Sequence, residues 1–202
     1  RFHICPYRFH ICPFDKETVM LTAKKLERKY TYQDYLHWPD DERWEIIEGE
    51  PYSMSPAPSI KHQRISRNLE RIIFNHLISS RCEAFGAPTD VVLDEFNVVQ
   101  PDIFIVCDQN KITEKNIQGA PDLIIEIISK STAYKDVKIK KELYEKFRVK
   151  EYIIVFPDLK IVERYILQDN NHYGYPEKFN WDEILRLETI DMDVNLKKVF
   201  II

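Results

Sequence analysis

Two acidic residues lie inside apolar segments, where a charge is costly. The segment PDLIIEIISKST, residues 121–132, contains Glu126, and the segment VVQPDIFIV, residues 98–106, contains Asp102. A carboxylate among apolar strand residues must be ion-paired, protonated or bound to a metal, because an isolated buried charge is strongly disfavoured. If the two segments form neighbouring strands, both carboxylates can converge on one Mg²⁺ ion, which takes oxygen ligands and retains several waters. Two structural ion pairs are the alternative interpretation.

Asp122 also follows a proline, but it is too far from Glu126 to share a metal ion with it. Four residues separate the two acids, which is roughly 13 Å along an extended strand at ~3.3 Å per residue. Asp122 is therefore predicted to be a structural residue at the start of the strand.

A lysine is expected beside such acids, but its usual position holds Ile128. Magnesium-dependent nucleases of the PD-(D/E)XK kind place a lysine two residues after the second acid. The predicted helix 133–148 carries five lysines, and at roughly 100° per residue Lys140 falls in the middle of its apolar stripe. The other lysines are predicted to lie outside the middle of the stripe, with Lys141 at its border and Lys135, Lys138 and Lys146 facing water. The sequence thus predicts that Lys140 replaces the missing lysine, with a snorkelling side chain or a buried Lys140–Asp136 pair as the alternative.

Three more polar residues are candidates for supporting roles. Gln100 alternates onto the strand face of Asp102. His62 lies near the start of a long helix on its apolar face, and it either contacts a phosphate group or is a hydrogen-bonded core histidine. Glu50 begins the second arm of a hairpin, where it either completes the acid cluster or is simply exposed.

Helices and strands alternate along the chain in an order that can bring these residues together. Helices are predicted at 31–37, 60–79 and 133–148, with Thr31 and Ser59 as N-caps of the first two. A hairpin with Glu48-Gly49 at its turn is predicted over 44–55. Further strands are predicted at 82–86, 90–94, 97–107, 122–128, 151–156 and 160–167, and the tail 178–202 is predicted as a short helix followed by an edge strand. This order indicates an α/β fold with a mixed sheet flanked by helices and an N-terminal β-hairpin.

The composition predicts a single globular domain over residues 20–202. The chain has 202 residues, 44% of them hydrophobic and 31% charged, with a net charge of −4 and a sequence pI of about 5.9. Such a balance argues against a tight non-specific duplex binder but allows a magnesium site that concentrates carboxylates. The sequence shows neither a membrane span nor a secretory leader, so a cytoplasmic location is expected.

The cysteines fall into two pairs with different interpretations. Cys82 and Cys107 lie in strand-like segments and are predicted to be buried thiols of a reduced cytosolic protein. Cys5 and Cys12 belong to a tandem heptapeptide, RFHICPY followed by RFHICPF. A zinc site is one interpretation of the doubled His-x-Cys. We instead treat residues 1–19 as an extension that precedes a natural start at Met20.

Five segments in order resemble one known group of proteins: WEIIEGEPYSMSPAPSIKHQRIS, VVQPDIFIV, PDLIIEIISKST, KIKKELYEKF and VKEYIIVFPD. Together they make the chain similar to the bacterial Uma-type family of the PD-(D/E)XK nuclease superfamily over residues 30–167. The resemblance implies a restriction-endonuclease-like fold and divalent-metal phosphodiester chemistry. The family pattern matches Asp102, Glu126 and Lys140, with Glu50 and His62 at other characteristic positions. This chain departs from it at Lys130, where a proline is usual, and at Arg148, where a glycine is common.

These observations predict a Mg²⁺-dependent DNA endonuclease, with Mn²⁺ as a substitute metal. Asp102 and Glu126 are the predicted metal ligands, and Lys140 is predicted to orient the attacking water or stabilise charge on the phosphate. The alternative is a catalytically inactive nucleic-acid-binding or dimerisation module with the same fold. A homodimer is expected, because the strands around 151–156 supply more apolar surface than two helices readily cover.

Overall fold

The computed structural model describes residues 28–39, 42–54, 57–129 and 135–201. The tandem heptapeptide with Cys5 and Cys12, the predicted leader 1–19 and Lys130 lie outside the described residues. None of the helices in the described part has the length and apolar character needed to span a membrane.

The strands of the described chain are, in order, β1 (Trp44–Ile47), β2 (Glu50–Ser53), β3 (Glu83–Gly86), β4 (Val91–Asp94), β5 (Asn97–Val99), β6 (Ile103–Val106), β7 (Ile117–Gln118), β8 (Leu123–Ile127), β9 (Glu151–Phe156), β10 (Ile161–Ile166), β11 (Glu177–Asn180), β12 (Ile184–Leu187) and β13 (Met192–Asn195). The helices are α1 (Tyr32–Tyr35), α2 (Ile60–Leu77), α3 (Lys141–Lys146) and α4 (Leu196–Val199), with a 3₁₀ turn at Gln109–Lys111 and a π-helix at Lys135–Lys140.

A six-stranded mixed sheet forms the centre of the fold, in the order β11-β10-β9-β8-β6-β3. Strands β8 and β9 are parallel, whereas β6 runs antiparallel to β8. Parallel neighbours need a crossover connection, and the π-helix with α3 lies in the connection between β8 and β9. The predicted mixed α/β sheet is therefore confirmed, and its two central strands are the ones that precede and follow the segment carrying Lys140.

A five-stranded sheet, ordered β2-β1-β5-β4-β7, contains the predicted N-terminal hairpin. Apolar side chains of this sheet, including Ile47 and Val99, share one core with Phe104 and Ile124 of the six-stranded sheet. Leu143 and Tyr144 of α3 belong to the same core. One face of the central sheet thus packs against the hairpin sheet, which brings β1 close to the β8–α3 connection.

The opposite face of the central sheet is covered by α2, the β12–β13 hairpin and α4. Ile65, Leu69 and Ile73 of α2 pack with Ile103 and Ile125 of the sheet. The Ser59 hydroxyl accepts a hydrogen bond from the His62 N–H at 3.2 Å and so caps α2, as predicted. The helix cap therefore fixes the backbone of His62 at the edge of the sheet.

The segment that carries Lys140 is a π-helix followed by a short α-helix, whereas a continuous α-helix over 133–148 was predicted. Lys135–Lys140 forms the π-helix and Lys141–Lys146 the α-helix. The helix ends at Lys146, and Arg148, two residues later, has a left-handed φ of 60°. Glycine adopts this conformation at least cost. A glycine, which the resemblance implies at this position, would therefore fit the backbone there.

Two predicted strand assignments are wrong. The predicted strand 97–107 is two strands, because Gln100-Pro101-Asp102 separates β5 from β6 and a proline lacks the N–H that a sheet ladder requires. The tail was predicted as a helix followed by a strand. It is instead β11, β12 and β13 followed by α4.

Cys82 and Cys107 are joined by a disulfide bond, which contradicts the prediction of two buried thiols. Glu83 of β3 pairs with Val106 of β6, so the two cysteines lie opposite each other at the next position of the antiparallel pair. The sequence does not reveal this register, because 25 positions separate the two residues. The cysteines therefore offer no support for the expected cytoplasmic location.

Candidate active site

Of the two acids predicted as metal ligands, Glu126 lies in β8 of the central sheet, and Asp102 directly precedes the neighbouring strand β6. Ile103 of β6 pairs with Ile125 of β8, so Asp102 and Glu126 each lie one residue beyond the end of this pairing. Oδ2 of Asp102 accepts a hydrogen bond of 2.8 Å from the Ile127 N–H and is thereby tied to β8. This hydrogen bond places the Asp102 carboxylate at the backbone of β8, next to the residue that follows Glu126.

Glu126 is enclosed and bonded to two side chains of the following helical segment. Its Oε1 accepts hydrogen bonds of 2.9 Å from Nζ of Lys140 and 2.9 Å from the Tyr144 hydroxyl. Burial raises the pKa of Glu126 to about 8; Lys140 opposes the shift, and Asp136, Asp102 and Glu45 add to it. Acids whose pKa is shifted by burial and by specific neighbouring charges are typical of functional sites.

Lys140 points into the protein, as predicted. Its side chain is 3% exposed, and Nζ lies 2.7 Å from Oε1 of Glu45, 2.9 Å from Oε1 of Glu126 and 3.6 Å from Oδ1 of Asp136. Burial disfavours the ammonium, but the charges of Glu126 and Glu45 hold the pKa of Lys140 well above its usual value. Lys140 is therefore neither a snorkelling side chain nor a simple pair with Asp136.

Lys135 also points inward, which corrects the prediction that it faces water. Its side chain is 15% exposed, and Nζ lies 2.5 Å from Oε2 of Glu45. The π-helix explains the difference, because hydrogen bonds from i to i+5 bring residues five apart onto the same side. Lys135 and Lys140 thus reach the two oxygens of one carboxylate. The predicted exposure of Lys138 and Lys146 is confirmed.

Glu45 was missed by the sequence reasoning, yet it is fully buried in the site. It lies on β1, and its Oε1 accepts a hydrogen bond of 3.1 Å from the backbone N–H of Gln100. Burial alone would raise the pKa of Glu45, but Lys140 and Lys135 together lower it below its usual value. The sequence pattern that could have predicted its burial is WEII, in which Glu45 lies between apolar residues just as Glu126 does.

Glu50 does not join the acid cluster, so its predicted supporting role is not upheld by the geometry. It pairs with Ile47 beside the hairpin turn, and its side chain is exposed, with Oε2 accepting a hydrogen bond of 3.1 Å from the Tyr52 hydroxyl. Glu45 pairs with Tyr52, two positions farther from the turn. The hairpin therefore directs both acids to one face but buries only the one that lies farther from its end.

His62 lies beside Asp102. Nε2 of His62 is 3.2 Å from Oδ2 of Asp102, and Nδ1 is buried without a hydrogen-bond partner in the described part of the chain. Burial lowers the pKa of His62, but the hydrogen bond and charge of Asp102 outweigh that effect and raise it. The structure thus places a histidine that favours its charged form next to one of the two central acids.

Gln100 and Asp122 have structural contacts. The Gln100 side chain bonds Arg43 at 2.6 Å and Asp90 at 2.8 Å, so only its backbone N–H reaches the site, through Glu45. Asp122 lies 2.7 Å from Lys150 and accepts a hydrogen bond of 2.8 Å from the Cys107 N–H, at the start of β8, as expected for a structural residue.

A magnesium ion fits this site only in part. Within the described ranges, no group of three or more His, Cys, Asp or Glu side chains is arranged to enclose a metal ion. Mg²⁺ commonly binds through one or two carboxylates and keeps several waters. Among the described residues, Oδ1 of Asp102 and Oε2 of Glu126 have no hydrogen-bond or ion-pair partner. These two acids therefore suit a hydrated ion.

Comparison with known proteins assigns the chain to a family. Residues 32–197 match the sequence model of the Uma2 family, described as "Putative restriction endonuclease", and the chain belongs to this family. A solved structure from Anabaena variabilis, described as "a putative nuclease belonging to DUF820", is similar with a TM-score of 0.70 and 22% identity over 84% of this chain and 97% of that one. The uncharacterized protein slr1290 of Synechocystis is 26% identical over 149 residues, which is 72% of this chain and 78% of that protein.

Proposed function

We propose that this protein is a divalent-metal-dependent endonuclease that hydrolyses phosphodiester bonds of DNA. Asp102 and Glu126 would hold one Mg²⁺ ion, with Mn²⁺ as a substitute. Such an ion, when bound, supplies Lewis-acid polarisation of the phosphodiester and lowers the pKa of a bound water. Membership of the Uma2 family supports the reaction class.

The remaining residues would position the substrate and balance its charge. The ammonium of Lys140 lies 2.9 Å from Oε1 of Glu126 and would stabilise charge that develops on the phosphate oxygens of a bound substrate. His62, whose pKa is raised by Asp102 against the effect of burial, can donate a hydrogen bond to a phosphate oxygen. Both groups are fixed by the fold before any substrate binds.

The observation that supports the proposal best is the contact of a buried lysine with Glu126 of β8, beside which the Asp102 carboxylate also lies. Lys140 lies within 2.9 Å of Glu126, and Asp102 is bonded to the residue that follows Glu126. The charge of Asp102 contributes to the raised pKa of Glu126, so the two carboxyl groups are close enough to interact electrostatically. Like charges held together in this way favour the binding of a cation.

Cleavage of supercoiled plasmid DNA tests this function. The wild-type protein should nick plasmid with Mg²⁺ or Mn²⁺ and not with EDTA, and Asp102→Asn and Glu126→Gln should each lose about a hundredfold or more in rate. Asp122→Asn is the matched control, because Asp122 also follows a proline but contacts Lys150. Nicking that persists in EDTA or in both site variants would contradict the proposal.

An inactive nucleic-acid-binding module is the second candidate, and one observation favours it. The ammonium of Lys140 is 3% exposed and already has three carboxylate neighbours, so the site is closed as it stands. Such a module would bind labelled DNA in a fluorescence anisotropy titration without cutting it. Binding that is indifferent to Mg²⁺, together with no cleavage, would favour this candidate.

We also propose a homodimer, although the original reason for expecting one has changed. Strand β9 lies inside the central sheet, and both faces of that sheet are covered by other elements of the same chain. The proposal now depends on the need to cut two DNA strands. Light scattering at micromolar concentration tests it, and a monomer mass would count against it.

A further inference from the structure

Glu45 contacts the proposed site from the hairpin sheet, whereas Glu126 lies in the central sheet and Asp102 directly precedes strand β6 of that sheet. The ammonium of Lys140 lies between the two sheets, 2.7 Å from Oε1 of Glu45 and 2.9 Å from Oε1 of Glu126. Both acids are buried, with side chains 0% and 4% exposed. Lys140 therefore has one carboxyl partner from each sheet, besides Asp136 of its own helical segment at 3.6 Å.

Glu45 and Glu126 would have different roles once a metal ion binds. When a carboxylate coordinates Mg²⁺, the ion offsets its negative charge, so the carboxylate stabilises a neighbouring ammonium less effectively. A buried ammonium without a counter-ion is strongly disfavoured. Metal binding at Glu126 thus requires that Lys140 keep another anionic partner, and Glu45 is the nearest one.

We propose that Glu45 is a positioning residue that anchors Lys140 from the hairpin sheet and thereby leaves Glu126 free to bind the metal ion. The inference rests on the proposed function. It gives Glu45 a role other than metal binding. It also gives the hairpin sheet a part in the site, since Glu45 lies on β1.

The surroundings of Glu45 hold its carboxylate in place. Oε1 accepts a hydrogen bond of 3.1 Å from the backbone N–H of Gln100, and Oε2 lies 2.5 Å from Nζ of Lys135. The Gln100 side chain is in turn bonded to Arg43 and Asp90. An acid fixed by a backbone amide and a second lysine can keep its position while Glu126 changes partners.

A double-mutant cycle on Mn²⁺ affinity tests the proposal without requiring cleavage. Isothermal titration calorimetry is carried out on the wild type, Glu45→Gln, Lys140→Met and the double variant. Glu45→Gln should weaken Mn²⁺ binding about tenfold or more, because Lys140 then depends on Glu126 and must be displaced by the metal. In the Lys140→Met background the same change should alter affinity by less than about twofold. Lys138→Met is the matched control, since the side chain of Lys138 is exposed.

The possible results separate this inference from the proposed function. Mn²⁺ binding by the wild type with equal effects of Glu45→Gln in both backgrounds would overturn only the anchoring role. No Mn²⁺ binding by the wild type would overturn both proposals.

Should Glu45→Gln fail to fold, the cycle is run in a Lys135→Met background, in which one buried ammonium beside Glu45 is also removed. Glu45→Asp, which keeps the charge, should recover part of the lost affinity, and a variant as weak as Glu45→Gln would contradict the proposal.

Discussion

Lys140 and Arg164 are both buried cations among carboxylates, but their surroundings differ. The lysine cluster consists of Lys140 and Lys135 with Glu45, Glu126 and Asp136, and the three acids are at most 5% exposed. The arginine cluster consists of Arg164 with Glu151, Glu177 and Glu188. Its two closest carboxylates, at 2.8 Å and 3.4 Å, belong to side chains that are 57% and 58% exposed.

The comparison shows how a structural ion cluster differs from a candidate site. The guanidinium of Arg164 also donates to the Arg186 carbonyl, cannot give up its proton and shares its charge with solvent-exposed acids. The acids of the lysine cluster are buried, and burial together with nearby acids raises the pKa of Glu126 to about 8. Enclosed acids with shifted pKa values are typical of functional sites. The arginine cluster instead joins β10, β11 and the β12–β13 hairpin.

The largest expected effect separates Lys140 from its exposed neighbour. Lys140→Met keeps the aliphatic stem but removes the ammonium, so plasmid cleavage should fall about a hundredfold, or on the order of 3 kcal/mol for one such donor. Lys138→Met should change the cleavage rate little, since its side chain is exposed. Both variants are assayed with Mg²⁺ and Mn²⁺. Equal rates in the two variants would remove Lys140 from the mechanism.

Breaking the arginine cluster should affect stability and leave the site intact. Arg164→Met removes the cation nearest to the buried carboxyl of Glu151, which keeps its hydrogen bonds from Glu188 and Thr189. The free energy of unfolding in urea should fall by about 3 kcal/mol. Mn²⁺ affinity and cleavage, measured at a temperature where the variant is folded, should match the wild type. A large loss of Mn²⁺ affinity would show that the two clusters are coupled.

The pH dependence of stability should distinguish Glu126 from an ordinary surface acid. Burial raises its pKa from 4.5 to about 8, so between these values the folded protein holds a proton that the unfolded chain has released. Stability linked to Glu126 is therefore present at low pH and is lost as the pH rises through this window. The stability of Glu126→Gln relative to the wild type should increase between pH 5 and pH 8, measured by urea unfolding in EDTA. A constant difference across that range would argue against the raised pKa.

The smallest effect is expected at Glu50. Its side chain is exposed beside the hairpin turn, so Glu50→Gln should change cleavage and stability by less than about 0.5 kcal/mol. Asp102→Asn assayed in parallel gives the reference for a true loss of activity. A large loss of cleavage in Glu50→Gln would show that Glu50 contributes to the site, which would require a movement of the hairpin.

The sequence predicts those features of the site that follow from local periodicity. Asp102 and Glu126 stand out because each interrupts an apolar strand, and Lys140 because it falls in an apolar helical stripe. The long helix with its Ser59 cap and the hairpin turn are local as well, and they are confirmed. Each depends on residues within a few positions of one another.

The remaining features depend on tertiary contacts that no local pattern contains. Glu45 is buried because the hairpin sheet packs against the segment after β8, and Lys135 turns inward because that segment is a π-helix. Cys82 and Cys107 meet through the pairing of β3 with β6. These residues are separated from their partners by tens of positions, so only the assembled sheets decide their contacts.

Anomalous diffraction from crystals grown with Mn²⁺ tests the central claim most directly. The account predicts one anomalous peak between the carboxylates of Asp102 and Glu126, with Lys140 still in contact with Glu45. Coordination distances of about 2.0–2.2 Å are expected for a hard divalent ion of this size. A peak elsewhere, or an unbroken Lys140–Glu126 pair with no peak at saturating Mn²⁺, would contradict the assignment of Asp102 and Glu126 as the metal ligands.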